Sequence, residues 1–400
     1  MRDFIKNRFL ANFLLADKIF YFIKHLPLTI RYLIVDLYLM IPIKKKSFPN
    51  RITIFLTDKC NMKCSHCFII KEVPKKTVEI SLNEYVKIFK SLKGRTSQIL
   101  LTGGEPTLRM DLYDIAYNAY HVGKVSTISI FSNALYPART KVLLEDILKN
   151  TNLKINFQTS LDGLKEFHNL NRKVKKSYEN VISTIEMIND LKSVYKNRLG
   201  RVVVGIAISK SNLGDLSELI SELEILNCFL AFGFVRKSSD VFNINKEYIN
   251  FDFVPEEFDK NGEEKFGDNY LNDDDLVLAL SILEENVWSK KPYEMIYSYQ
   301  KTTLKAKQII DRYSKSPLSV ECGMGYDDLI ILPNGKIARC EMLSANSDLK
   351  NYDYNLDDLL MSKHYKNYMS KTSGCYCTHE CGIGVTMMND KKLLKDLVNT

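Results

Sequence analysis

Cys60, Cys64 and Cys67 set three thiols within eight residues, spaced C-x3-C-x2-C, directly after the apolar run 51–57. Three thiolates can hold three irons of a cubane cluster and leave the fourth iron open to a ligand that is not protein. A structural zinc ion wants four protein ligands, so a zinc site here must recruit His66 or a residue far along the chain. Packing alone gives no reason for three cysteines so close together on a loop. Five more cysteines, Cys322, Cys340, Cys375, Cys377 and Cys381, lie toward the C-terminus, and Cys228 stands alone at the end of a helical stretch, where it reads as a core thiol. Nine cysteines in 400 residues are too sparse for a disulfide scaffold. Their short spacers point to metal ligation in a reducing compartment, so the chain is expected to be cytoplasmic.

The elements that must position these cysteines follow from the alternation of the chain. Strand-like runs at 51–57, 97–103, 125–132, 153–160, 201–209 and 229–236 alternate with helical stretches such as SLNEYVKIFKSLK at 81–93. A β/α repeat of this kind predicts a parallel sheet. Six strands fall short of a closed eight-stranded barrel, so the expected fold class is α/β, a partial (β/α)6 TIM-like barrel over residues 50–236. Residues 237–315 read as an acidic linker with helices at about 276–288 and 295–314. Residues 316–400 form a C-terminal unit in which Asp327 to Arg339 read as two short strands joined at Asn334-Gly335, a strong hairpin signal. A barrel carries its functional loops at the C-terminal ends of its strands. The cysteine loop follows the first strand, and Leu101-Thr102-Gly103-Gly104-Glu105-Pro106 ends the second, where two glycines let the backbone approach a ligand.

Together these motifs resemble the radical S-adenosylmethionine superfamily, whose signature is this cysteine spacing after the first barrel strand. The resemblance runs over roughly residues 50–385. It implies a [4Fe–4S] cluster on Cys60, Cys64 and Cys67 whose open iron is chelated by the amino and carboxylate groups of S-adenosylmethionine. The fourth protein ligand is missing because the cosubstrate supplies it. One electron then cleaves the sulfonium, and the 5′-deoxyadenosyl radical takes a hydrogen atom from substrate. His66 occupies the position where the family usually places an aromatic ring near the adenine. Gly103, Gly104, Glu105 and Pro106 match the family's GGEP element, whose backbone contacts the methionine amino group. Ser132-Asn133-Ala134 stands where the family often has Thr-Asn-Gly, and because Ala134 departs from that pattern no contact is assigned to it. The stretch 158–185 resembles the SLDG…H-x3-R segment of the peptide-modifying branch, which makes Ser160 and Arg172 cosubstrate ligands and Asp162 and His168 supports of their loop. The plain alternative for Arg172 is a solvated residue among Lys173, Lys175 and Lys176. Gly205-Ile206-Ala207-Ile208 lines the adenine by position only, or is a core strand.

The spacing from Cys322 through Gly335 to Cys340 resembles the opening of SPASM and Twitch auxiliary domains. It implies one auxiliary [4Fe–4S] cluster on Cys322, Cys340, Cys381 and either Cys375 or Cys377. This region has five cysteines, fewer than a full SPASM domain. The C-x-C-x3-C run near His379 could also hold zinc. Glu341 takes the place of a catalytic aspartate of sulfatase-maturing relatives, where it would accept a proton as the substrate radical is oxidised, or it is an exposed structural glutamate. The resemblance further implies a low-potential electron donor, flavodoxin- or ferredoxin-like, and a peptide, sugar-like or lipid-linked substrate. The rival reading is a non-catalytic iron–sulfur or zinc-binding protein.

Charge removes some partners. The net charge is +8, with no Lys/Arg stripe interleaved with aromatics, so a nucleic-acid interface is not expected. Residues 1–50 carry nine Lys/Arg against three acids, and residues 241–275 carry eleven acids against three lysines. Residues 1–49 read as an apolar, basic helical extension whose longest run without Asp, Glu, Lys or Arg is eight residues. A spanning helix needs roughly 20. The extension therefore either packs on the barrel as an extra layer or, through residues 1–47, rests peripherally on an anionic membrane surface.

Overall fold

The computed structural model describes residues 26–27, 29–34, 48–67, 78–235, 241–242, 270–288, 323–341, 343–372 and 376–377. β1 (Arg51–Phe55), β2 (Gln98–Thr102), β3 (Thr127–Phe131), β4 (Lys154–Ser160), β5 (Val203–Ile208) and β6 (Phe229–Phe234) pair in parallel, each with the next. The helices α1 (Leu82–Leu92), α2 (Leu112–His121), α3 (Pro137–Asn150), α4 (Lys165–Arg172), α5 (Ser177–Val194), α6 (Lys210–Leu213) and α7 (Leu216–Glu224) lie between them in the chain. This is the α/β partial barrel that the alternation predicts. α1 shows why the local sequence commits: Ser81 Oγ accepts the Glu84 N–H while the Glu84 carboxylate accepts the Ser81 N–H. Tyr85, Ile88, Phe89 and Leu92 then recur on one helical face and are buried in the main core.

Each strand divides its residues between two faces. Ile52, Ile54, Ile99, Leu101, Ile128, Ile130, Ile155 and Phe157 are buried. The opposite face carries Thr53, Gln98, Ser129, Asn156, Gln158 and Ser160. Around Ser129 this face is polar and internally bonded, with Leu100 beside it in register: Gln98 Nε2 and Asn156 Nδ2 donate to Ser129 Oγ at 3.0 and 3.4 Å.

The C-terminal segments join this same sheet. The chain continues through β7 (Val241–Phe242), α8 (Asp273–Leu283), β8 (Asp328–Ile331), β9 (Lys336–Ala338), β10 (Ser347–Asp348), α9 (Leu356–Met361), α10 (Lys363–Lys371) and β11 (Tyr376–Cys377). The hairpin turns at Asn334-Gly335 as predicted, with Gly335 at φ +86°. β8 pairs in parallel with β1, so the strand order is β10-β9-β8-β1-β2-β3-β4-β5-β6. Strands from the segment 316–400 thus extend the sheet built by 50–236. β11 pairs antiparallel with β7, setting Cys377 opposite Val241 in the backbone. Of the two helices expected in 276–288 and 295–314, the first is seen as α8 with a π turn at Glu284–Trp288, and the second lies outside the described residues. So does most of the N-terminal extension, apart from a short helical stretch at 29–34. Among the described residues no helix is long and apolar enough to cross a membrane.

The joint between β1 and β8 is ionic. Asp328 has a side chain 2% exposed and accepts from Arg51 Nε at 2.8 Å and from Thr53 Oγ1 at 3.2 Å. Burial pushes its carboxyl above the ordinary carboxylate range, against the pull of Arg51. A carboxyl with a raised folded-state pKa binds its proton more tightly when folded, so its contribution to stability is lost as pH rises through that value. Arg51→Met, which leaves the carboxylate buried without its partner, should cost about 3 kcal/mol at neutral pH and less at mildly acidic pH, where Asp328 takes up a proton. Urea unfolding at the two pH values checks this. Equal losses at both would show that Asp328 is not the group left exposed to the penalty.

Candidate functional site

The cysteine loop leaves β1 beside the loop that leaves β2. Gly104 N–H donates to Thr57 O at 2.7 Å and Glu105 N–H to Lys59 O at 2.8 Å, so the two chains run together past the ends of their strands. This approach explains the glycine pair. A Cβ on Gly104 would lie 2.2 Å from Lys59 O, and one on Gly103, at φ +128°, would lie 2.5 Å from Thr57 O. Pro106 begins the short 3-10 turn Pro106–Leu108, and Glu105 caps it.

Glu105 is fully buried and its carboxylate is consumed by neighbours. It accepts from Thr107 N (3.0 Å), Thr107 Oγ1 (2.6 Å), Ser132 Oγ (2.8 Å) and Asn133 N (2.7 Å). The last two come from the loop after β3, so Glu105 ties the ends of β2 and β3 together. Burial still pushes its pKa up, against these four donors. Asn133, held in this way, donates from Nδ2 to Asn61 Oδ1 at 2.7 Å and faces Cys60 Sγ at 3.8 Å. Met62 N–H also points at Cys60 Sγ, at 3.4 Å. Burial pushes the Cys60 thiol up to about 11, with the nearby Glu105 charge adding to the rise. A metal that binds there must therefore displace a firmly held proton.

The other end of the loop is held from β4 and α4. Asp162, 1% exposed, receives Arg172 Nε and Nη2 at 2.7 and 2.8 Å and Asn171 Nδ2 at 2.8 Å. Its backbone N–H donates to His168 Nδ1 at 3.1 Å. Burial alone would raise the Asp162 pKa, but Arg172, with His66 and His168, holds it well below the usual carboxylate range. Burial depresses His168 to about 4, so this ring is a neutral acceptor. From α4 the contacts reach the cysteine loop directly. Ser65 N–H donates to Asn171 O at 3.0 Å, Asn171 Nδ2 lies 3.1 Å from His66 Nδ1, and Arg172 Nη1 donates to Cys64 Sγ at 3.4 Å. His66 Nε2 lies 3.9 Å from Asp162 Oδ1, so both ring nitrogens face the α4 network. Burial lowers the pKa of His66.

Cys60, Cys64, Cys67, His66, Gly103, Gly104, Glu105, Pro106 and Arg172 thus converge where the strands end, with Ser160 at the end of β4 on the sheet face shared by Gly205. Arg172 is buried, unlike the lysines beside it. Asn61, Asn133 and Asn171 carry much of the wiring, and reading the sequence assigned none of them a role. The only signal was their adjacency to Cys60, Ser132 and Arg172. Of the C-terminal cysteines, Cys322, Cys375 and Cys381 lie outside the described residues, as does the side chain of Cys377. Cys340 is buried in an apolar cluster with Phe55, Met324, Ile330, Ala338 and Leu343, and half-buried Glu341 follows it.

The donor set fits an anionic, sulfur-rich group. Three thiols share one loop, amide and guanidinium N–H groups point at two of them, and Asn61 Nδ2 is buried without a hydrogen-bond acceptor. Among the described residues no three His, Cys, Asp or Glu side chains are gathered around a single-ion site, and His66 faces Asp162 and Asn171 rather than the thiols.

The Radical SAM superfamily profile matches residues 54–220. A GTP 3',8-cyclase of Aquifex aeolicus is 30% identical over 241 residues, covering 52% of this chain and 72% of the relative. Among solved structures, anSMEcpe with bound AdoMet superposes with a TM-score of 0.55 at 15% identity, over 80% of this chain and 82% of that one. Streptococcus suis SuiB bound to precursor peptide SuiA gives 0.54 at 14%, over 81% and 67%. At these identities the structural matches establish the fold.

The contact between Gly104 and Lys59 provides a test of the loop geometry. Gly104→Ala should leave far-UV circular dichroism unchanged but sharply reduce the iron held after anaerobic reconstitution, because the new methyl displaces the backbone one residue before Cys60. Undiminished iron would show that the loop does not need the close approach. With the cysteine loop, the glycine pair and the buried Asp162–Arg172 pair assembled at the strand ends of a partial barrel, the chain belongs to the radical SAM superfamily.

Proposed function

We propose that the chain cleaves S-adenosylmethionine reductively and abstracts a hydrogen atom from a peptide or small-molecule substrate, with an oxidative outcome. The observation that carries this reading is the double anchoring of the cysteine loop, by Glu105 through Asn133 at Cys60 and by Asp162 through Arg172 at Cys64. Cys60, Cys64 and Cys67 would hold a [4Fe–4S] cluster. When bound, such a cluster would supply the electron for reductive cleavage of the cosubstrate. The backbone of Gly103 and Gly104, with Pro106, would receive the methionine end of the cosubstrate. Ser160, at the end of β4, would reach its ribose, and His66 and Arg172 would bound the pocket on the α4 side. The polar sheet face of Gln98, Ser129, Asn156 and Gln158 offers neutral hydrogen-bonding groups toward a substrate.

Cys322, Cys340 and Cys381, with Cys375 or Cys377, would hold one auxiliary [4Fe–4S] cluster. Cys340 shares an apolar cluster with Phe55, five residues before Cys60, which supports a second redox centre beside the first. Glu341 would accept the proton released as the substrate radical is oxidised. A flavodoxin- or ferredoxin-like donor would reduce the first cluster. SuiB, with its bound precursor peptide, supports a peptide substrate, and the GTP 3',8-cyclase relative supports a small molecule.

Anaerobic reconstitution should give about eight irons per chain, and a variant with Cys60, Cys64 and Cys67 all changed to Ala about four. With dithionite and S-adenosylmethionine only the unmodified chain should make 5′-deoxyadenosine. Zinc in place of iron, or no 5′-deoxyadenosine, would sink the proposal. Once the substrate is known, Glu341→Gln should preserve 5′-deoxyadenosine formation and slow product formation by about a hundredfold or more, the usual range for loss of a general base. Full product yield would remove Glu341 from the mechanism.

A further inference from the structure

Arg172 occupies an unexpected place for a cosubstrate ligand. Two of its nitrogens, Nε and Nη2, form a paired fork on Asp162, and the third, Nη1, is directed at Cys64 Sγ at 3.4 Å. The guanidinium is buried and cannot swing away without breaking a buried ion pair. Asn171, the residue before it, binds Asp162, the His66 ring and, through its carbonyl, the Ser65 N–H. The charged donor is therefore fixed to the cysteine loop at Cys64 and at the two residues that follow it. Among the described residues the donors to Cys60 are neutral, the Met62 N–H and the Asn133 amide.

We propose that Arg172 is a positioning residue for the cluster: clamped by Asp162, its guanidinium donates to the Cys64 thiolate and raises the reduction potential of the centre held by Cys60, Cys64 and Cys67. This rests on the function proposed above. Hydrogen bonds to the sulfurs and the net charge near a cluster set its potential. Uptake of one electron makes the thiolate sulfurs better acceptors, so a donor aimed at one of them stabilises the reduced form more than the oxidised form. A charge-assisted donor does so more strongly than a neutral amide. Asp162 fixes the direction of the donor and offsets part of its charge, so the shift is bounded. The pair makes the centre easier to reduce by a low-potential donor while the cosubstrate side of the pocket stays free for Gly103, Gly104 and Ser160.

The test uses anaerobically reconstituted full-length chain without S-adenosylmethionine. Dithionite supplies the electrons in a potentiometric titration followed by electron paramagnetic resonance. The signal to follow is the one that later changes when S-adenosylmethionine is added. Arg172→Gln keeps an N–H without the charge, and Arg172→Met removes both. The potential should fall from the parent chain to Arg172→Gln and again to Arg172→Met, with iron content at the first site retained. Asp162→Asn keeps the guanidinium and removes its counter-charge, so it should move the potential upward. If Arg172→Met loses its iron, the Asp162→Asn shift decides, and an absent or downward shift overturns the proposal. An unchanged potential in Arg172→Met together with weaker S-adenosylmethionine binding also overturns it, because Arg172 would then serve the cosubstrate alone. A parent chain with no dithionite-reducible cluster would instead defeat the underlying function, so the two failures are distinguishable.

Discussion

The ion pair between Asp162 and Arg172 is the contact on which the order of the cysteine loop depends. A carboxylate only 1% exposed can remain charged only if its partner is close and its other lone pairs are used. Both conditions are met, by the guanidinium fork and by the Asn171 amide. The consequence reaches beyond the pair. Because Asn171 and Arg172 end α4, satisfying Asp162 fixes the last turn of that helix, and the last turn carries the groups that bind Ser65, His66 and Cys64. A loop that belongs to no helix or strand, with a single turn closed by Cys67 N–H on Cys64 O, is held in place by a helix more than one hundred residues later in the chain.

Glu105 does the same work at the other end by a different route. Four neutral donors satisfy it and, among the described residues, no cation pairs with it, which fits a pKa raised by burial, where that of Asp162 is depressed by charge. Two buried carboxylates of opposite electrostatic character thus hold two ends of one cysteine motif. The glycine pair fills the space between, since the two loops approach more closely than any Cβ permits. Partly buried thiols on a fixed loop suit a metal cluster because ligands already in place lose little entropy on binding.

The C-terminal hairpin is bound into this arrangement by the sheet itself. β8 adds to the free edge of β1, and the buried Asp328 secures the pairing through Arg51 and Thr53. The apolar cluster that contains Cys340 is completed by Phe55 at the end of β1. Beyond the hairpin, buried Arg339 donates to Met324 O, Met369 O and Thr372 Oγ1, and so ties it to the end of α10, after which the last cysteines follow.

The sequence by itself determined the strands, the hairpin and the residues able to do chemistry. Period-two burial, the Ser81–Glu84 cap, Asn334-Gly335 and the cysteine spacing are local signals, carried by residues near one another in the chain. All six barrel strands were legible for that reason, and so were Cys60, Cys64, Cys67, Gly103 and Gly104. Tertiary structure alone decided what those residues face. Nothing local shows that β8 pairs with β1, since that contact joins residues 277 positions apart. Nothing local shows that Glu105 turns inward to Ser132 and Asn133, or that Arg172, set among lysines, is buried against Asp162 and directed at Cys64. Hydrogen-bond partners are chosen by burial and direction, which exist only once the helices and strands have packed, so the roles of Asn61, Asn133 and Asn171 became visible only in the folded chain.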